Sequence, residues 1–275
     1  MEYHDILRMV REKTPLIQCI TNFVTVNDCA NILLAAGASP TMAQDTREVE
    51  EAVTGANGLV CNLGAIDLVD SMIAAGKKAN ELGIPVVLDP VAAGGTTLRR
   101  QLSAKLLEEV RFSAIRGNAS EIRALTGRMS RGSSVDVASW DAITPKNLSQ
   151  SVELISGLAK QSGSIIAVSG VIDVVSDGTQ TVLLHNGCAT MARITGSGCM
   201  LTTLTGAFCA AAPDHPFEAT CAAMGAMGIC GEIAEEKRLQ NKTGNATFRT
   251  DLIDAVFNLT EQELKERIRY EVYKG

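Results

Sequence analysis

The segment PLIQCITNFVTVNDCANILLAA, residues 15 to 36, holds a short apolar run, then a polar loop, then an amphipathic run. The first run favours a buried strand, and the last favours a helix from about Val26 to Ala36. Five more strand candidates follow, most of them with a helix candidate after them: SPTMA, GLVCNLG, PVVLDP, SAIRGN and SIIAVSG. Strands that alternate with helices indicate βαβ units, so we predict an α/β fold with a mostly parallel central sheet flanked by helices.

The later part of the chain departs from this alternation. In VVSDGTQTVLLHN, residues 174 to 186, Asp-Gly lies at 177 and 178 between two β runs, which predicts an antiparallel hairpin with a type I′ turn. Residues 127 to 146 are polar and rich in Gly, Ser and Asp, so we expect a surface excursion there. Everything beyond Gly198 is expected to be helical. Because the sequence has no repeat and no convincing linker, we expect residues 1–275 to form a single domain.

The composition favours a small-molecule partner. No apolar run approaches the roughly 18 to 20 residues of a membrane span, and the charged N-terminal stretch MEYHDILRMVREK lacks the apolar core of a signal peptide. The net charge is −6, only 4% of the residues are aromatic, and no basic run is present, so nucleic acid would find no binding surface. We therefore expect a cytoplasmic protein that binds neither membrane nor nucleic acid.

The 8 cysteines occur singly and form no C-x-x-C pair. This spacing argues against a structural zinc site. Most of them have Ala, Val or Ile neighbours, where a free cysteine behaves as a small hydrophobe. Cys199 is the exception, because it lies in a glycine loop.

Four stretches follow strand candidates or begin helix candidates: CITNFVTVNDCA, VLDPVAAGG, IRGNASEI and RITGSGCMLT. Open α/β sheets bind their ligands at such positions. In RITGSGCMLT, residues 193 to 202, glycines flank a small hydroxyl residue before an apolar run, which is typical of a loop that binds an anion at a helix N-terminus. The chain has no G-x-x-x-x-G-K-[ST] motif, and no G-x-G-x-x-G follows the first strand, so the P-loop and nicotinamide fingerprints are both missing.

Two acidic positions have alternative interpretations. Asn118 and Glu121 fit a helix-capping box, but Arg116 at the strand end just before them could clamp phosphate oxygens while Glu121 orders a hydrated Mg²⁺. Asp89, at the end of PVVLD, is either a solvated loop residue or a second carboxylate near the metal.

Two further residues are candidates for contacts with a substrate. Asn22 lies at a strand terminus, where it could hydrogen-bond a ligand. Met42 would ordinarily fill the core, but its polarizable thioether also suits the face of a flat heterocycle. Both interpretations of Met42 remain open from the residues alone.

Taken in order, ITNFVTVN, GASPTMA, LDPVAAG, RGNASEI and TGSGCMLT closely resemble the motifs of the hydroxyethylthiazole kinase family, a member of the ribokinase-like superfamily. The resemblance covers nearly the whole chain. It implies a ribokinase-like fold and ATP-dependent phosphorylation of the hydroxyl of 4-methyl-5-(2-hydroxyethyl)thiazole in thiamine salvage. It also implies Mg²⁺, ATP as co-substrate, and a homotrimer with its sites between subunits.

The resemblance implies roles on the ATP side. Asn118 and Glu121 match the superfamily's N-x-x-E signature, which is associated with Mg²⁺ and phosphate. Asp89 matches a second acidic position of the metal region. Arg116 and Ser169 match positions that contact ATP.

It also implies roles around the acceptor. Met42 and Gly196 match thiazole-binding positions, with Asn22 close to the same pocket, and the amides up to Gly198 would form an anion hole for ATP. Cys199 stands where most ribokinase-like enzymes have an aspartate taken as the base. Because phosphoryl transfer runs through a loose transition state, a strong base is dispensable.

Other functions stay open from the residues alone. A kinase for hydroxymethylpyrimidine or another small alcohol would use the same fold, since function depends on the site. A nucleotide-binding protein or a dehydratase of related fold would use the glycine loop without transferring phosphate to an alcohol. The presence of Arg116, Asn118 and Glu121 together with the pocket residues favours the enzyme.

Overall fold

The computed structural model describes residues 1–129 and 143–274. The α-helices there are Tyr3–Lys13 (α1), Val26–Ala36 (α2), Val49–Thr54 (α3), Val69–Leu82 (α4), Thr97–Glu109 (α5), Ala119–Met129 (α6), Leu148–Ser162 (α7), Ser197–Ala211 (α8), Pro216–Asn241 (α9), Asn245–Asn258 (α10) and Glu261–Arg267 (α11). The strands are Leu16–Ile20 (β1), Ser39–Thr41 (β2), Gly58–Asn62 (β3), Val86–Asp89 (β4), Ala114–Asn118 (β5), Ile165–Ser169 (β6), Asp173–Ser176 (β7), Thr181–Leu184 (β8) and Tyr270–Val272 (β9). Short 3₁₀ turns lie at Ile66–Leu68 and Ala189–Arg193.

The strands form one sheet in the order β2, β1, β3, β4, β5, β6, β7, β8, β9. Neighbouring strands from β2 to β6 run parallel, and the pairs from β6 to β9 run antiparallel. The prediction of an α/β fold with a mostly parallel sheet and a late antiparallel hairpin is confirmed.

Helices cover both faces of this sheet. For that reason β3 is buried at every position and reads as a continuous apolar run until its last residue. Helices α1, α2, α8, α9 and α10 share one apolar core, which contains Phe208 and Phe248. Helices α3 to α7 form the other core, which contains Met72.

Helix α8 fixes the position of the glycine loop. It packs on β1, β3 and β4, and Gly206 lies so close to Val60 of β3 that a Cβ at this glycine would overlap the valine side chain. The helix begins after Gly196, whose φ of 91° is in the left-handed region that favours glycine. This packing brings the first turn of α8 to the carboxyl ends of the parallel strands.

The hairpin formed by β7 and β8 is confirmed, but the type I′ turn is wrong. That turn requires positive φ at both central residues. Gly178 has a φ of 90°, whereas the positive-φ non-glycine residues in the described ranges are Thr14, Ala92 and Lys242, so Asp177 does not qualify. Instead, Asp177 Oδ1 accepts hydrogen bonds from the backbone N–H groups of Thr179 and Gln180 at 2.7 and 2.8 Å, which organises a longer loop.

The expectation that everything beyond Gly198 is helical is wrong at one place. Strand β9 pairs antiparallel with β8 and forms an exposed edge of the sheet. Three residues are too few for a clear alternating pattern, and pairing with β8 decides the conformation. The predicted polar excursion at 127 to 146 lies mostly outside the described residues. No helix in the described ranges is both long and apolar enough to cross a membrane.

Candidate active site

Predicted site residues meet where the parallel strands end and α8 begins. Asn62 ends β3 and Asp89 ends β4, and the two are paired in register. Asn118 ends β5 and Ser169 ends β6, also as partners. Cys199 lies in the first turn of α8. The structure therefore brings residues that are distant in sequence to one edge of the sheet, as expected for an open α/β fold.

Two asparagines connect Cys199 to Asp89. Asn62 Nδ2 donates hydrogen bonds to Asp89 Oδ2 at 3.0 Å and to Cys199 Sγ at 3.2 Å. Asn62 Oδ1 accepts from Asn22 Nδ2 at 3.1 Å and from the Gly64 N–H at 2.8 Å. Asn22 Nδ2 also donates to Cys199 Sγ at 3.6 Å. We call Asn22, Asn62, Asp89 and Cys199 the amide cluster; sequence reasoning predicted all of its members except Asn62.

Asp89 is only 1% exposed, so the solvated-loop alternative is wrong. Thr202 Oγ1 donates to the same Oδ2 at 3.0 Å. Burial raises the pKa of Asp89 to about 6, the guanidinium of Arg116 opposes that rise, and the charge of Glu121 adds to it. Both charged side chains therefore act electrostatically on this carboxyl.

Cys199 is a thiol in this environment. Burial raises its pKa, and the negative charge of Asp89 raises it further. Hydrogen bonds from Thr25, Asn62 and Asn22 act in the opposite direction but do not outweigh these effects. The sulfur at the head of α8 is thus a hydrogen-bonding group near neutral pH and a weak base at most.

Arg116 is buried beside the glycine loop. Its Nη2 donates to Ser169 Oγ, and a Cβ placed on Gly198 would lie 2.7 Å from its Nη1. Its Nε is buried and has no hydrogen-bond partner among the described residues. A buried donor without a partner is costly; the atom of this guanidinium that lies beside the start of α8 is Nη1.

Asn118 and Glu121 form a capping box at the start of α6. Asn118 Oδ1 accepts from the Glu121 N–H at 2.9 Å, and Glu121 Oε2 accepts from the Asn118 N–H at 2.8 Å. Glu121 Oε1 accepts from the Ala92 N–H at 3.0 Å, where the backbone has a φ of 54°. The capping interpretation is confirmed as geometry. It leaves the carboxylate only half-buried, so a second role with a cation is compatible with the capping box.

The acidic pair fits a hydrated divalent cation. Asp89 and Glu121 offer hard oxygen donors, and the charge of Glu121 raises the pKa of Asp89. Magnesium typically takes one or two protein carboxylates and keeps several waters. Within the described ranges, no group of three or more His, Cys, Asp or Glu side chains could hold a metal by itself. Such a cation would need additional ligands, such as phosphate oxygens.

A cavity of about 610 Å³ lies beside Arg116. It is lined by three predicted ATP residues, Arg116, Ser169 and Gly198, and by an apolar wall that includes Leu201, Met224 and Met227. A cavity of this size, mostly apolar with a few polar groups, is typical of a small-molecule site. Sequence reasoning missed the apolar wall, because CAAMGAMGICGEIAEEK reads only as a closely packed helix.

Asp173 is a second buried acid at this cavity. Its Oδ1 accepts from the Gly170 N–H at 2.8 Å. Burial raises its pKa to about 7, against the lowering effects of that hydrogen bond and of Arg116. No motif singled it out, since a lone Asp beside a β run also fits an ordinary turn.

One wall of the cavity is fastened by residues from late in the chain. Glu232 accepts from the Gly187 N–H at 2.8 Å and forms an ion pair with Arg269 at 2.6 Å. Asn186 Nδ2 donates to the Arg267 carbonyl at 3.0 Å, and Asn186 Oδ1 accepts from the Arg269 N–H at 2.7 Å. We call these contacts among Asn186, Gly187, Glu232, Arg267 and Arg269 the tail clamp. It holds residues 185 to 188, which line the cavity, against the segment leading into β9.

The predicted thiazole residues lie outside that cavity. Met42 follows β2 and is partly buried against the core on the α8 side of the sheet. Gly196 precedes α8, and a Cβ there would lie 2.9 Å from Thr25 Cγ2. Of the three candidates, Asn22 is the one joined to Cys199 by a hydrogen bond within the described residues.

The chain matches the model of the hydroxyethylthiazole kinase family over residues 7–262. It is 46% identical over 269 residues to the hydroxyethylthiazole kinase of Clostridium acetobutylicum, covering 97% of this chain and 98% of that one. It is 43% identical over 272 residues to that of Thermoanaerobacter pseudethanolicus, covering 97% and 99%.

Solved structures give the same picture. The hydroxyethylthiazole kinase of Pyrococcus horikoshii OT3 superposes with a TM-score of 0.87 at 35% identity, covering 99% of both chains. A pyridoxal kinase of Bacillus subtilis, solved as an ADP complex, superposes with a TM-score of 0.58 at 16% identity, covering 78% of this chain and 90% of that one, and so shares the fold. The predicted ribokinase-like fold is confirmed.

Proposed function

The chain belongs to the hydroxyethylthiazole kinase family, and we propose that it transfers the γ-phosphoryl group of ATP to the hydroxyl of 4-methyl-5-(2-hydroxyethyl)thiazole, within thiamine salvage. The observation that carries this function is the family match over residues 7–262. The geometry of the site supports it, since a cavity large enough for a nucleoside adjoins the helix start that carries Cys199.

Arg116 and the start of α8 would bind the phosphates of ATP. The Nη1 atom of Arg116, beside Gly198, and the amides of Ser197 and Gly198 are donors near a helix N-terminus, which favours anions. Phosphoryl transfer depends mainly on positioning and on neutralising charge, so preorganised donors here stabilise the transition state. Ser169 fixes one end of the guanidinium, while the apolar wall of the cavity would receive the base.

Asp89 and Glu121 would hold Mg²⁺, at least partly through water. When bound, the ion neutralises charge on the β- and γ-phosphates. Asn62 and Thr202 both donate to Oδ2 of Asp89, which leaves Oδ1 of that carboxylate for the hydrated ion. Asn118 fixes Glu121 by the capping box and so aims its carboxylate.

Cys199 would orient the hydroxyl of the acceptor. As a thiol that two amides hydrogen-bond, it can accept a hydrogen bond from that hydroxyl or donate one to it, but it is a poor proton acceptor. In a loose phosphoryl transfer the acceptor hydroxyl needs little deprotonation before its oxygen bonds to phosphorus, so orienting that hydroxyl is enough. Asn22, Met42 and Gly196 would surround the thiazole ring on the Cys199 side.

We further propose a cytoplasmic homotrimer of single-domain chains. The eight cysteines are all free, as is usual in a reducing compartment. Phe23 is 90% exposed and Val24 57%, directly after Asn22, and such an apolar pair beside a site suits burial by a neighbouring subunit. Light scattering coupled to size exclusion measures the assembly, and a monomer at working concentration would contradict the trimer.

The function is tested by ADP release in the presence of ATP, Mg²⁺ and the thiazole alcohol. We expect ADP formation to require the alcohol and to stop when 5-ethyl-4-methylthiazole, which lacks the hydroxyl, replaces it. ADP formed equally without the alcohol would contradict the proposal. Turnover of hydroxymethylpyrimidine at a higher kcat/KM than the thiazole would support a kinase for a different alcohol.

A further inference from the structure

We infer that Asn62, which lies in none of the motifs that carry the family resemblance, is the positioning residue that holds the Cys199 side chain against Asp89 and Asn22 for phosphoryl transfer. The inference rests on the proposed function and deepens it. Asn62 ends β3 and is 1% exposed.

Every polar atom of the Asn62 side chain is used. An amide group has two donor hydrogens and two acceptor lone pairs, and Asn62 makes two hydrogen bonds from Nδ2 and two to Oδ1. Its orientation is determined, because Oδ1 faces the Gly64 N–H, which can only donate. Rotating the amide by half a turn would put two donors face to face and would take both donors away from Asp89 and Cys199.

These bonds go beyond what the local fold requires. The bond from Gly64 alone would fix the turn after β3. The other three bonds reach side chains of Asn22, Asp89 and Cys199, which come from β1, β4 and α8 or the loops beside them. Asn62 is therefore the shared neighbour through which these elements set the position of one sulfur atom.

The consequence for the reaction is specific to the acceptor side. Without Asn62, the Cys199 sulfur loses its bond from the Asn62 amide at 3.2 Å and keeps those from Asn22 and Thr25, while Asn22 Nδ2 loses the Asn62 Oδ1 acceptor. A misplacement of about 1 Å in a reacting geometry costs on the order of 100-fold in rate. Among the described residues, no hydrogen bond of Asn62 reaches Arg116, Ser169 or Gly198, and Thr202 still donates to Asp89 Oδ2 when Asn62 is replaced, so ATP binding should be largely spared.

The test is a double-mutant cycle with Asn62→Ala and Cys199→Ala, using kcat and the KM for ATP. We expect Asn62→Ala to lower kcat by about 10- to 100-fold while the KM for ATP stays within about 3-fold. In the Cys199→Ala background the same change should lower kcat by no more than about 3-fold, because its partner is gone. Asn80→Ala is the matched control: both ends of the Asn80 amide bind the Arg111 backbone, at 2.9 and 2.8 Å, away from the site.

Three results overturn the inference: an unchanged kcat, the same loss in both backgrounds, or a KM for ATP that rises as much as kcat falls. If Asn62→Ala does not fold, Asn62→Ser takes its place in the cycle with the same expectations.

A crystal structure of the variant supplies a readout that needs no turnover. We expect the Cys199 side chain to change rotamer or the Asn22 amide to rotate, and positions unchanged within about 0.5 Å would overturn the inference. Absence of alcohol-dependent ADP from the parent protein would instead contradict the proposed function, whatever this structure shows.

Discussion

The close approach of Arg116 to the glycine loop makes Gly198→Ala a direct test of the phosphate site. The added methyl carbon would lie 2.7 Å from Nη1 of Arg116 and 3.6 Å from both Cζ and Nη2. The first distance is too short for any real contact, so either the guanidinium or the first turn of α8 has to move. The guanidinium cannot move freely, because it is 7% exposed and bonded to Ser169.

Overpacking of this kind costs about 1 to 3 kcal/mol. If the displaced groups are the ones that bind phosphate, most of that cost appears in ATP binding, and the KM for ATP rises about 5- to 150-fold. The matched control is Gly157→Ala: this glycine lies on an exposed face of α7, and a Cβ there would meet nothing within 4 Å. We expect the control to keep its kinetics and to gain about 0.5 to 1 kcal/mol of stability.

Steady-state kinetics with varied ATP, together with thermal unfolding of all three proteins, give the answer. A Gly198→Ala enzyme that folds and binds ATP like its parent would refute the assignment of Arg116 and Gly198 to the phosphate site. A loss that falls on the KM for the thiazole alcohol instead would place the disturbed groups on the acceptor side.

Four more substitutions, at three positions, have defined outcomes. Cys199→Ala should retain activity with a loss below about 100-fold, which is the bottom of the range for general-base assistance. Cys199→Asp should be tolerated, because Asn22 and Asn62 already direct amide hydrogens at that side chain. If steady-state kinetics show no turnover in a folded Ala variant and no rescue by Asp, the thiol is indispensable. Glu121→Gln loses the charge and keeps one acceptor oxygen, so only one of the Asn118 and Ala92 N–H groups keeps its bond. Mg²⁺-dependent turnover should fall far more than thiazole binding, and unchanged activity across a Mg²⁺ titration would leave Glu121 with the capping role alone. Asp173→Asn should stabilise the protein more at pH 8 than at pH 5. The folded-state pKa of Asp173 is about 7, above the ordinary 3.8. The wild-type protein therefore loses stability as pH rises between these two values, by about 1.4 kcal/mol per pH unit. Chemical denaturation of both proteins at the two pH values measures this difference, and an equal gap at both would show that burial does not hold the proton on Asp173.

Local sequence signals predicted the parallel half of the sheet well. Helix α2 has the predicted bounds of Val26 and Ala36, and β4 ends at Asp89 where Pro90 stops it. These elements carry their own apolar periodicity and their own stop signals, so neighbouring residues are enough to identify them. The capping box of α6 was also recognisable, since both of its members lie three residues apart.

Long-range partners were less visible. Asn62 reads as the polar end of an apolar run, and its importance depends on Asn22, Asp89 and Cys199, which are brought together only by the sheet order. Strand β9 is too short to have a pattern of its own, and the apolar wall at Met224 looks like any buried helix. The prediction of a type I′ turn was wrong because the Asp177 side chain accepts hydrogen bonds from the amides of Thr179 and Gln180 and so organises a longer loop.

Because of the tail clamp, one wall of the cavity depends on residues that are synthesised near the end of the chain. Domains emerge from the ribosome from the N-terminal side, at about 5 to 20 residues per second. The amide cluster is complete once α8 has been made, whereas residues 185 to 188 receive Glu232 with α9 and their remaining partners only when Arg267 and Arg269 appear, at the end of α11 and after it. A nascent chain stalled before that point would carry the thiol and the acidic pair beside a cavity whose wall at residues 185 to 188 lacks its contacts with Arg267 and Arg269.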